Sequence, residues 1–79
     1  MSGEQVLLRS PLLYKLIRDA SGALILEVVV GGIALSAVRV RLDARETAAY
    51  EQEGQAFTDR LAQAIMANPP FGGRSVDVP

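Results

Sequence analysis

The chain has 79 residues, of which 49% are hydrophobic and 22% charged; its net charge is −1, and it contains neither His nor Cys. That composition excludes disulfides, thiolate-bound metal, thiol nucleophiles and imidazole bases, and no overall field draws the chain to nucleic acid or anionic membrane. A single domain of this size buries only about 60% of its unfolded surface, so this much apolar side chain predicts burial against another chain.

The charges are unevenly placed. Residues 1–42 carry five basic and three acidic side chains, and residues 43–79 carry three basic and six acidic. No apolar run reaches the roughly 18–20 residues needed to span a bilayer. The N-terminus lacks the basic-then-apolar layout of a signal peptide, so no membrane partner is expected and cytoplasm is the expected compartment.

In chain order, residues 1–5 are polar and expected to fray. Val6-Leu7-Leu8 can add a short strand before Pro11, which lacks a ladder donor and interrupts it. Leu12 to Asp19 reads as a strand. Asp19-Ala20-Ser21-Gly22 is a turn cluster, with Gly22 placed for the left-handed position of a three-residue loop. Ala23–Val30 and Ile33–Leu42 are Val-, Ile- and Leu-rich, lack Pro, and flank Gly31-Gly32. Two glycines between such runs predict a hairpin with a two-residue turn.

These loops fix an expected register. Asp19 faces Ala23, which sets Lys15 opposite Glu27, a favourable cross-strand pair. Val30 faces Ile33, which sets Ser36 beside Glu27. One face then carries Leu12, Tyr14, Leu16, Leu24, Leu26, Val28, Val30, Ile33, Leu35 and Ala37, with Arg18, Arg39 and Arg41 gathered at one end. The other carries Lys15, Glu27 and Ser36 among Leu13, Ile17, Ile25, Val29, Ala34, Val38 and Val40.

Asp43 opens a helix. With Glu46 three residues on, it makes a capping box and places acid at the positive end of the helix dipole. Tyr50, Gly54, Phe57, Leu61 and Ala64/Ile65 recur at helical spacing and mark its apolar face. Gly54 on that face predicts a close approach of helix to sheet, with a kink as the alternative. Asn68-Pro69-Pro70 stops the helix. The Gly- and Pro-bearing stretch 71–79 reads as a flexible tail, although Ser75–Val78 has the composition to pair with an edge strand.

The expected fold is therefore a single α+β domain: an antiparallel meander of three strands, or four with Val6–Leu8, followed by one long C-terminal helix on one sheet face. The acidic side chains of the helix read as its solvated side, and Lys15, Glu27 and Ser36 as a polar stripe. No phosphate-binding or dinucleotide fingerprint is present. The expectation is no enzyme, no cofactor and no metal site.

One helix covers one face of such a sheet, and a large exposed apolar patch marks an interaction site. Leu13, Ile17, Ile25, Val29, Val38 and Val40 are accordingly the candidate interface. The expected function is a small non-enzymatic protein–protein interaction module, a homodimer, serving as an adaptor or as an inhibitor or immunity-type partner. The alternative is a nucleic-acid-binding domain using Arg18, Arg39 and Arg41, with Tyr14 as a stacking residue. Pairing of those arginines with helix carboxylates is the favoured reading of them.

Overall fold

A computed structural model describes residues 3–11, 13–30 and 36–78. The elements are β1 (Gln5–Ser10), β2 (Tyr14–Arg18), β3 (Leu24–Val30), β4 (Ser36–Arg41), α1 (Ala44–Glu53), α2 (Gln55–Ala67) and β5 (Val76–Val78), with a single 3-10 turn at Phe71–Gly73 before β5. The strands form one antiparallel sheet in the order β1-β2-β3-β4-β5. The α+β class is as expected, but the sheet has five strands, not three or four, because both ends of the chain join it.

The first hairpin register follows the turn chemistry. Lys15 faces Glu27 and Leu16 faces Leu26. Gly22 takes a φ of 89°, and its N–H donates to the Asp19 carbonyl at 3.0 Å. The Asp19 carboxylate accepts from Ser21 Oγ at 2.7 Å, from Ser21 N at 2.9 Å and from Ala23 N at 3.0 Å. Those bonds, Ser21 Oγ first, hold its pKa below the usual carboxylate value.

The second hairpin differs from expectation. Val30 faces Ser36 rather than Ile33, and Val28 faces Val38. The expected two-residue turn at Gly31-Gly32 lies outside the described residues, as do Leu12, Ile33, Ala34 and Leu35. The shift is an odd number of residues, so every side chain of β4 changes face. Val38, Val40 and Leu42 join the core, and Ala37, Arg39 and Arg41 turn to the opposite side. The physical reason is burial: this register lines three apolar residues against Leu24, Leu26 and Val28 and keeps two arginines out of the core.

Tyr14, Leu16, Leu24, Leu26, Val28, Val38, Val40 and Leu42 pack beneath Leu61, Ala62 and Ile65 of α2, with Tyr50, Phe57 and Phe71 partly buried around them. The single long helix of expectation is two. Asp43 and Glu46 do form the capping box, at 2.8 and 2.9 Å, but Gly54 adopts φ 65° and ψ −137° and separates α1 from α2. A Cβ at Gly54 would meet nothing within 4 Å. Its role is therefore conformational, and the expected close approach to the sheet is absent. The break also moves the buried face of α2 to Thr58, Leu61, Ala62 and Ile65, leaving Ala64 exposed.

α2 stops at Ala67, before the two prolines. Arg74 then ties the returning chain down. Its guanidinium bonds both Glu46 oxygens at 2.5 and 3.1 Å and the Arg41 carbonyl at 2.9 Å, which delivers Val76–Val78 to the outer edge of β4.

Candidate interaction face

The helices cover one face of the sheet. On the other, Arg9 faces Lys15, Lys15 faces Glu27, and Glu27 faces Arg39, one residue from each of four adjacent strands. Glu27 lies between two cations: Lys15 Nζ approaches it to 3.3 Å and Arg39 Nε to 2.8 Å. The far side of the Arg39 guanidinium reaches Glu4 at 2.9 and 3.4 Å. Glu4 immediately precedes β1, and two strands separate β1 from β4. This ion pair therefore lies across the open face rather than along one strand.

Burial pushes the Glu27 carboxyl up, but the bonds from Arg39 and Lys15 outweigh it and hold its pKa below the usual value. Glu27 and then Glu4 raise the Arg39 pKa in turn. The sequence anticipated Lys15 opposite Glu27. It put Ser36 in the place that Arg39 occupies and gave no role to Glu4. One signal was available: in the run Ser36–Arg41 the valines and arginines alternate, and only one parity buries valine and gives Glu27 an arginine.

The candidate interface residues divide. Ile25 and Val29 are half-buried on the open face, and Leu13 is exposed at its rim. Ile17 also lies there, facing Ile25, but is only 1% exposed. Val38 and Val40 are corrected to the helix side, where both are buried. On the open face the exposed large apolar side chains that the sequence did not single out, among the described residues, are Val6, which faces Ile17, and Val76, which faces Arg39.

The expected arginine cluster does not assemble. Arg18 faces Leu24 and shares the helix side with Tyr14 and Leu16, whereas Arg39 and Arg41 are on the open side. Arg39 is held by two carboxylates, and these come from Glu27 and Glu4 rather than from the helix.

Tyr14 is buried under α2, as expected of a residue beneath the helix, and offers no stacking surface. Its hydroxyl donates to Asp59 Oδ1 at 2.6 Å and lies 2.7 Å from Thr58 Oγ1, which is itself 3.1 Å from the Gln55 carbonyl. Burial and the Asp59 carboxylate push the Tyr14 pKa up, so the hydroxyl remains a donor. This cluster ties β2 to α2, and its three polar groups satisfy one another.

Among the described residues no three acidic side chains converge as a metal site, and no helix is long and apolar enough to cross a membrane. No protein-family model, curated protein or solved structure matches the chain.

Proposed function

We propose that the chain is a small non-enzymatic interaction module that pairs with a second copy through the open face of its sheet. A dimer of this kind suits an adaptor, or an inhibitory or immunity-type partner of a larger protein. One observation carries the reading. Of the four exposed large hydrophobic residues among those described, Leu13 (61% exposed), Val76 (66%) and Val6 (39%) are on that side, and only Met66 belongs to the helices. They surround half-buried Ile25, Val29, Ala37 and Val78.

Charge and edge geometry favour self-pairing through the face. At its centre Glu4 and Glu27 balance Lys15 and Arg39, so the centre of the patch meets itself without net repulsion in a two-fold dimer, while Arg9 and Arg41 lie outside that centre. The sheet edges are less suited to a partner. β1 carries a bulge between Val6 and Leu8, and β5 is only three residues long; bulges and short edge strands both discourage strand addition.

Sedimentation equilibrium at tens of micromolar tests the proposal. The expected result is a species of twice the 8.4 kDa chain mass, returned to monomer by Val76→Asp combined with Leu13→Asp. A monomer of the unaltered chain at that concentration overturns it.

A further inference from the structure

Gly22 and Leu13 make the same turn contact, with one difference. Each donates its N–H to the carbonyl three residues back: Gly22 to Asp19 at 3.0 Å, and Leu13 to Ser10 at 3.1 Å. Each adopts positive φ, 89° for Gly22 and 65° for Leu13. Glycine does this without strain, whereas a side chain crowds the following carbonyl. Leu13 is held there by its own N–H and by its carbonyl, which accepts from Val29 N at 3.0 Å. Its side chain gains little from burial within the chain, being 61% exposed.

Leu13 forms the rim of a cleft of about 280 Å³ whose other walls include Arg9, Lys15, Glu27 and Val29. Arg9 and Lys15 face each other on neighbouring strands, and like charges directly opposed are unfavourable. Glu27 offsets Lys15 but is shared with Arg39. Arg9 is exposed and has no carboxylate partner among the described residues. The cleft therefore joins an uncompensated cation to an exposed apolar side chain held in a strained turn.

We propose that this cleft is a binding site for a carboxylate carried beside an apolar side chain, as in an acidic, leucine-bearing stretch of a protein partner. Arg9 bonds the carboxylate, Lys15 adds charge from the adjacent strand, and Leu13 and Val29 receive the apolar group. The site is at the β1–β2 rim of the open face and goes beyond the self-association reading.

N-acetyl-leucine, which carries both groups, is the probe. Titration followed by NMR is expected to give saturable shifts at Leu13, Lys15 and the Arg9 side chain. N-acetyl-leucinamide and acetate, each lacking one group, do not saturate. Arg9→Gln weakens binding about fivefold, the scale of one partly exposed charge contact. Leu13→Gly loses binding while raising the urea midpoint, a combination that a purely structural leucine does not produce. Three results overturn the proposal: no saturable shift, undiminished binding to Arg9→Gln, or equally tight saturation of the same resonances by inorganic phosphate. Leu13 belongs to both surfaces, so a second copy and the probe compete for it; sedimentation of the same samples with and without probe reads self-association separately, so failure of one proposal is distinguishable from failure of the other.

Discussion

The two faces of the sheet are kept out of water by different means. On the helix side, Leu16, Leu26, Val28 and Val40 are fully buried under Leu61, Ala62 and Ile65, and their contribution scales with the apolar area removed from water. On the open side, among the described residues, only Ile17 is buried so completely, and the centre is the chain of ion pairs from Lys15 through Glu27 and Arg39 to Glu4. Apolar burial is non-directional and tolerates changes of shape. The ionic chain is directional, since Glu27 lies between Lys15 and Arg39 only when β2, β3 and β4 are aligned as observed. The helix side supplies most of the stability, and the open side favours one register while leaving apolar side chains exposed.

The largest expected break in that comparison is Leu26→Ala. It removes a fully buried side chain facing both Leu16 and Val40, and urea unfolding should show a loss of about 3 kcal/mol. Tyr14→Phe tests the polar tie between sheet and helix. It removes the donor to Asp59 and the neighbour of Thr58 without emptying the core, and should cost about 1–2 kcal/mol by the same measurement.

Glu27→Gln probes the open side. It leaves Lys15 and Arg39 without their shared charge and should cost about 1 kcal/mol, because both partners are about a third exposed and screened by solvent. The pH dependence has a definite sign. The folded-state pKa of Glu27 is lowered, so its contribution is present above the ordinary glutamate range and is lost as pH falls through the depressed folded value. Unfolding of the Glu27→Gln variant should lose that part of the acid dependence. The smallest effect is expected from Arg9→Gln. Relieving the like-charge opposition to Lys15 should raise stability by a few tenths of a kcal/mol.

What the sequence disclosed, and what it concealed, follows the range of the interactions. The β2–β3 register was legible because Gly22 and Asp19 settle it within a few residues and Lys15 opposite Glu27 agrees with them. The capping box at Asp43 and Glu46 and the helix stop at Asn68-Pro69-Pro70 were equally local. The β3–β4 register was not legible from Gly31-Gly32, since a glycine pair fits loops of several lengths. The alternation of Val38, Arg39, Val40 and Arg41 against the buried row of β3 is what decides it.

Gly54 fits a helical spacing as well as a break, and only its backbone angles distinguish them. Of the site, Lys15, Glu27, Ile25, Val29 and Leu13 were identifiable from alternation. Glu4 was not, because its partner Arg39 is 35 positions away and no local pattern connects them. β5 was legible only as an edge-forming composition, its placement depending on the Arg74 bonds to Glu46 and the Arg41 carbonyl.

Hydrogen exchange measured as a function of protein concentration tests most directly the claim that the open face is the interaction surface. Amides in β2, β3 and β5 should become more protected as concentration rises into the tens of micromolar, while those of α1 and α2 stay unchanged. Protection that grows on the helices instead, or that does not depend on concentration anywhere, contradicts the account.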